Sequence, residues 1–303
     1  GSMDAFTAQP GVRYVGVDLN DDGLDMAELA SVVSELKAQG NKAKMIYIQS
    51  LYHNPRGTGY TVERMRELLT YCAEHSILIL NDEAYYGLHL DPESEPVFLS
   101  TIAEEMGLSL GVITACTFSK TIAPGLRAGF SFADPLIISQ ISSVKMGSVS
   151  TVLLLALADF IERGEWSAST PLCKDQNQFP AQISSNKVCA GARRDKQIAK
   201  VQGVYTEKLN AITASIDEHC SRWLTYERPR GGLYVWVTLR DGVGFEANDV
   251  QLEAIARGLN VQDGTQYYLP PYVDGTKGAE RPGDLSHLRL CADAASGLSL
   301  CCR

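Results

Sequence analysis

Two stretches decide the fold: Ile77-Leu-Ile-Leu-Asn-Asp82 and Gly111-Val-Ile-Thr-Ala-Cys-Thr-Phe-Ser-Lys120. Each is an unbroken apolar run that stops abruptly on polar chemistry, as a strand buried on both faces does in a parallel sheet. Lys44-Met-Ile-Tyr-Ile-Gln49 behaves in the same way, and Arg13 to Asp18 and Gly129 to Phe132 read as further short strands. Between them lie helical spacings. Leu24, Met26, Leu29, Val32, Val33 and Leu36 share one face, and Thr61 opens a second helix through Leu68, Leu69 and Cys72. The Thr61 hydroxyl can cap that helix, and Glu63 suits its first turn. Strands alternating with helices predict an α/β architecture, a three-layer and mostly parallel sheet with helices on both faces.

Composition narrows the class. The 303 residues are 45% apolar and 21% charged, inside the soluble globular range. The run Val152 to Ala158 ends at Asp159, far short of the ~20 residues a membrane span needs. A net charge of -9 and a pI near 5.1 argue against nucleic acid as a partner, since phosphate binding leaves a basic footprint. Gly1-Ser2-Met3 reads as a cloning scar, so no targeting signal is visible. The eight cysteines show no C-x-x-C pair and no metal-ligand spacing. Cys72 and Cys116 sit in apolar segments as buried thiols, and a reducing, cytoplasmic setting is the expectation.

Beyond Ile161 the pattern changes. Residues 166–196 are polar, carry Pro171 and Pro180, show no period, and read as an insertion or linker. A helical pattern resumes at Gln197. The strand Gly232 to Leu239, a helix near Val250 to Leu259 and a last strand from Leu285 to Leu290 follow. The chain therefore divides into a large domain at 11–165, the 166–196 segment, and 197–303 as an interdomain helix with a smaller C-terminal α+β domain.

Open α/β sheets bind ligands outside the carboxyl ends of their strands. Three strands here end on loaded sequences. Gln49 leads to His53-Asn54-Pro55-Arg56-Gly57, Leu80 to Asp82-Glu-Ala-Tyr85, and Thr117 to Ser119-Lys120. Their convergence on one rim predicts a site.

These segments, Tyr52-His-Asn-Pro-Arg-Gly57, Asn81-Asp-Glu-Ala-Tyr85, Thr117-Phe-Ser-Lys120 and Pro124-Gly-Leu-Arg-Ala-Gly129, form an ordered set. The set resembles fold-type I pyridoxal-phosphate enzymes, and especially class I/II aminotransferases of the kynurenine/α-aminoadipate kind and the aminotransferase-like domains of MocR-type regulators. Pro229-Arg-Gly-Gly-Leu-Tyr-Val-Trp236 and Leu288-Arg-Leu290 resemble the family's small-domain motifs. The likeness covers residues 11–165 and 197–292.

The resemblance implies pyridoxal 5'-phosphate as cofactor and transfer of an amino group between an amino acid and a 2-oxo acid. Lys120 would be the Schiff-base lysine, a task that suits an amine at a strand end. Asp82 would pair with the pyridine nitrogen. Asn54, 28 residues before it, and Tyr85 would donate to the ring's phenolic oxygen. Lys120, Asp82 and Tyr85 form the expected catalytic set. Thr117, Ser119 and Arg127 resemble the phosphate anchors, where hydroxyls and a guanidinium suit a dianion. Arg289, with Asn54, would take the substrate carboxylate. Tyr267 and Tyr268 could line the substrate side, and Trp236 reads as small-domain core. The resemblance also implies a homodimer acting on small molecules, away from membranes.

Three departures set this chain apart. It begins after the part of the family that supplies a phosphate loop and a ring-stacking aromatic. It carries the 166–196 insertion, and Ala292 to Arg303 stands where a final helix is expected. A non-catalytic ligand-binding module, or a decarboxylase, racemase or C–C bond-forming relative, shares the same residues and stays open at this point.

Overall fold

The computed structural model describes residues 14–91, 96–144, 149–163, 196–267 and 287–291, with two-residue strands at Tyr272–Val273 and Thr276–Lys277. The 166–196 segment, but for its last residue, lies outside the described residues, as do Arg13, Met146, Tyr268 and everything from Ala292 onward.

Helix α1 spans Met26–Ala38 and starts where the Asp25 carboxylate accepts the Glu28 amide at 2.9 Å. Strand β1 is Met45–Ile48. Helix α2, Val62–Glu74, is capped by Thr61, whose hydroxyl accepts the Arg64 amide at 3.2 Å. It buries Met65, Leu68, Leu69 and Cys72 at the spacing of one helical face. Strand β2 (Leu78–Asp82), helix α3 (Leu99–Glu105), strand β3 (Val112–Thr117) and strand β4 (Gly129–Phe132) follow. The sheet order is β1-β2-β3-β4, with β1, β2 and β3 parallel and β4 antiparallel to β3.

The register places Ile48 beside Asn81, Asp82 beside Ala115 and Thr117 beside Gly129. All three loaded strand ends therefore share one edge. Ile48, Ile79 and Val112 pack on α1, α2 and α3 through Leu29, Leu68, Leu69, Leu99 and Ile102. The opposite face, with Tyr47, Asp82 and Thr117 on it by alternation, forms no buried apolar cluster among the described residues, and its Met45 and Leu78 are 45% and 38% exposed.

The strand expected at Arg13 to Asp18 does not form over its described residues. Instead Leu19–Asn20 pairs with Gly23–Leu24 in a short antiparallel ribbon. The Glu28 carboxylate takes the Asp18 amide at 2.6 Å, so a side chain stands where a ladder partner would have been.

Helices α4 (Pro135–Val144) and α5 (Thr151–Glu162) lead to α6, Lys196–Ser215, which ends in a wider turn at Ile216–Cys220. A second sheet is built from β5 (Leu224–Tyr226), β6 (Tyr234–Leu239), β7 (Val261–Asp263) and β8 (His287–Cys291), with α7 at Ala247–Ala256. Its order is β5-β6-β8-β7, antiparallel throughout. Val235, Val237 and Leu239 pack with Leu209, Ile212, Ile216, Val261 and Leu288. Trp236 therefore points away from that core, half-buried, and stacks on His287 at 5.2 Å. Among the described residues no helix is long and apolar enough to cross a membrane.

Candidate active site

Asp82 ends β2, and its carboxylate is held by three donors. Tyr47 donates its hydroxyl to Oδ2 at 2.7 Å, Gln49 its amide at 3.4 Å, and the Ala84 backbone N–H reaches Oδ1 at 3.1 Å. Tyr47 can do this because it lies on the same face of the neighbouring strand, one pleat back. Gln49, buried at the end of β1, turns its other end toward Asn54 and accepts that residue's backbone N–H at 2.9 Å.

The network then crosses to the second sheet. Arg289 on β8 donates to Asn54 Oδ1 at 3.1 Å and to Gln262 Oε1 on β7. Its guanidinium lies over the Tyr234 ring at 4.2 Å and near the Tyr267 ring at 4.9 Å. Each such contact contributes on the order of 0.5–2 kcal/mol, and together they fix the plane of the guanidinium. Tyr267 locks the arrangement by donating to the same Gln262 oxygen at 2.7 Å. Arg289 Nε is buried without a hydrogen-bond partner, an orphan donor that a ligand oxygen would satisfy.

Tyr85 is buried between these groups and donates to the Tyr234 hydroxyl at 3.5 Å, with the two rings edge to face. Burial first, then Tyr234 and Asp82, push its phenol far above the ordinary range, while Arg289 opposes the shift. Tyr85 therefore stays a protonated donor at any working pH.

The third strand end forms its own turn. The Thr117 hydroxyl donates to Ala128 O at 3.3 Å and accepts the Ser119 amide at 3.1 Å, and Phe118 N–H bonds to Ala128 O at 3.1 Å. The turn closes with Ile122 N–H on Phe118 O and carries Lys120, half-buried. Arg127 is exposed and left-handed, with φ 48° and ψ 34°. A non-glycine residue pays roughly 1–2 kcal/mol for that conformation. Just beyond it, a Cβ on Gly129 would meet Cys116 O at 2.5 Å, so β4 can approach β3 this closely only with glycine there.

The structure thus joins Asp82, Asn54, Arg289 and Tyr85 through Gln49 and Tyr234. It gathers Thr117, Ser119 and Lys120 on the next strand's end, and Arg127 beside Ala128. Among the described residues no hydrogen bond or ion pair links Lys120 or Arg127 to the first group. Sequence reasoning misses Tyr47, Gln49, Tyr234 and Gln262. Strand alternation was the available signal for Tyr47 and Tyr234, and Gln262 carried none.

The family model for aminotransferase class I and II matches residues 7–295. The aromatic-amino-acid aminotransferase 1 of Thermococcus litoralis is 27% identical over 265 residues, covering 87% of this chain and 56% of that protein. The 2-aminoadipate transaminase of Thermus thermophilus is 26% identical over 246 residues, covering 81% and 53%. The chain thus spans about half the length of these curated relatives. Among solved structures, the α-aminoadipate aminotransferase of Thermus thermophilus, complexed with N-(5'-phosphopyridoxyl)-L-leucine, superposes with a TM-score of 0.70 at 21% identity, covering 92% of this chain and 60% of the other. That likeness gives the fold, a fold-type I α/β large domain with a smaller C-terminal domain. With a family model spanning nearly all of its residues, the chain belongs to the class I and II aminotransferases.

Proposed function

We propose that the protein uses pyridoxal 5'-phosphate to move an amino group between an amino acid and a 2-oxo acid. The observation that supports this most is the hydrogen-bonded run Asp82–Gln49–Asn54–Arg289. It sets a carboxylate and a guanidinium at opposite ends of one short network.

The residues present fit the cofactor by their chemistry. Asp82 offers an acceptor for a protonated ring nitrogen. Asn54 has its Oδ1 taken by Arg289 and keeps its amide N–H to donate. Tyr85, held protonated, is a second donor for the ring oxygen. Ser119 and Arg127 supply a hydroxyl and a fixed charge for a phosphate dianion, and Thr117, whose hydroxyl proton lies on Ala128 O, holds the Ser119 amide beside them. Bound, the cofactor supplies an electrophilic carbon and an electron-withdrawing ring. Arg289, clamped by Gln262 and two tyrosine rings, binds and orients the substrate carboxylate with its unpartnered Nε. Lys120 Nζ takes the substrate Cα proton and returns it.

Two further parts belong to this reading. Residues 11–165 act as the cofactor domain and 197–303 as the interdomain helix and small domain, with 166–196 between them. The protein works as a homodimer, a reading supported by the apolar side chains Leu136, Val144, Val152 and Leu155 on α4 and α5, which are 66–77% exposed. The thiols of Cys72, buried, and Cys116, half-buried, form no disulfide, which supports a reducing, cytoplasmic compartment.

The test is to add pyridoxal 5'-phosphate and record the visible absorbance, then assay amino transfer to a panel of 2-oxo acids. A lysine-dependent band is expected, and Lys120→Ala abolishes it together with transfer. No band in the wild type, or an unchanged band in the variant, overturns the assignment of Lys120.

A further inference from the structure

The network described so far does not use Glu83, whose side chain is fully buried directly after Asp82. Glu83 Oε1 accepts the Asn81 side-chain amide at 2.7 Å, and Oε2 has no partner. The other end of Asn81 accepts the Ser50 backbone N–H at 3.1 Å. Ser50 follows Gln49, and Asn81 precedes Asp82, so one side-chain relay ties the ends of β1 and β2 together immediately behind the site. The Glu83 backbone is fixed too, with its N–H on Ala115 O at 2.8 Å and its carbonyl accepting Tyr86 N–H at 3.1 Å.

Resting on the function proposed above, we infer that Glu83 is a positioning residue that works as a neutral acid, holding Asn81 and Ser50 so that Asp82 and Asn54 are presented in register. A charged carboxylate cannot be held well here. It has one amide donor, no cation partner among the described residues, and a second oxygen facing no donor. The groups around it are Asp82 beside it, which repels a second charge; Asn81 and Ser50; and, on the neighbouring strand, the buried Thr114 and the Cys116 thiol. Burial first, and then the Asp82 charge, raise the Glu83 carboxyl to about 8, against the lowering by Asn81. A neutral acid in this place leaves only an O–H unpartnered, a far smaller penalty than an unsolvated charge. Its carbonyl oxygen still accepts from Asn81.

The sign follows from proton linkage. Because the folded-state pKa is raised, the native state holds a proton that the unfolded chain has already released. Stability is therefore full below the unfolded value and is lost as pH rises through about 8.

The experiment compares the 303-residue wild type, Glu83→Gln and Glu83→Ala without cofactor. Urea unfolding between pH 5 and 9 is paired with amide exchange at Ser50, expressed as a protection factor. Gln keeps the acceptor and cannot ionise. Relative to it, the wild type should lose about tenfold in folded-to-unfolded ratio per pH unit between 5.5 and 7.5. Ser50 protection should fall above pH 8 in the wild type, hold in Glu83→Gln, and be low at every pH in Glu83→Ala. Parallel unfolding curves for wild type and Glu83→Gln overturn the inference, as does Ser50 protection unaffected by Glu83→Ala. Should Ala not fold, the Gln comparison decides alone. A cofactor titration of the same proteins is the separate arm. Absence of pyridoxal phosphate binding in all of them counts against the proposed function, while the unfolding and exchange results still decide the role of Glu83.

Discussion

Replacing Gly231 with alanine tests how the two sheets meet. A Cβ there would stand 2.3, 2.5 and 2.6 Å from Cδ1, Cε1 and Cγ of Tyr52, where carbon–carbon contacts prefer about 3.5–4.0 Å. The backbone has nowhere to go. Leu90 N–H holds Arg230 O at 3.0 Å, Gly232 N–H holds Leu88 O at 2.9 Å, and Arg230 N–H holds Gly57 O at 2.9 Å. Tyr52 must therefore retreat by about 1 Å, the shortfall from normal contact. It is 7% exposed, packed among Tyr85, Leu88 and Leu233, and its φ of 51° is already unusual for a tyrosine.

Overpacking of this kind costs about 1–3 kcal/mol, and a rigid ring locked between fixed backbones puts Gly231→Ala at the upper end, about 3 kcal/mol. Urea denaturation measures the loss. Tyr52→Ala alone should cost about 3–5 kcal/mol as an aromatic truncation, yet in the double variant the new methyl meets no ring. The cycle should therefore show a favourable coupling of about 2–3 kcal/mol. A Gly231→Ala protein within about 0.5 kcal/mol of wild type, or strictly additive variants, would refute the argument.

Two other outcomes follow from the same packing. His53 has its Nδ1 buried without a partner, and burial, with the Arg56 charge second, lowers its pKa to about 4. A depressed histidine contributes stability that is lost as pH falls, so the wild type should lose about 1.4 kcal/mol per pH unit between 6.5 and 4 relative to His53→Gln; equal acid slopes would contradict this. Leu209 is 1% exposed in the core of the second sheet, and Leu209→Ala should cost about 2–5 kcal/mol in the same unfolding assay, with a loss under 1 kcal/mol counting against that core.

Much of the first sheet is legible because each strand advertises its own end. The apolar runs to Ile48, Leu80 and Thr117 stop where chemistry starts, and stopping is a local property that sequence records. Cap residues are equally local, as Thr61 and Asp25 show. The short strands Leu224–Tyr226 and Val261–Asp263 escape, since three residues hold no period. The ribbon at Leu19 replaces an expected strand because pairing, unlike propensity, needs a partner that the local pattern does not name.

The site divides along the same line. Asp82, Asn54 and Arg289 stand out by motif, but what orients them is a contact across 235 positions and a shared glutamine oxygen. No local rule selects Gln262 among the polar residues of a three-residue strand. Tyr234 differs, because the alternation that places it is present in the sequence, although Trp236 on the same face reads there as small-domain core. In β6 the buried Val235, Val237 and Leu239 alternate, so Tyr234 and Trp236 must both turn outward from the small-domain core. Placing Trp236 in that core contradicts the alternation. Following it instead puts an aromatic ring on the face that Arg289 occupies, since Arg289 pairs with Trp236 in register and side chains of paired residues share a face. The guanidinium–tyrosine contact at 4.2 Å is then a consequence of pleat and register rather than a separate feature of the site.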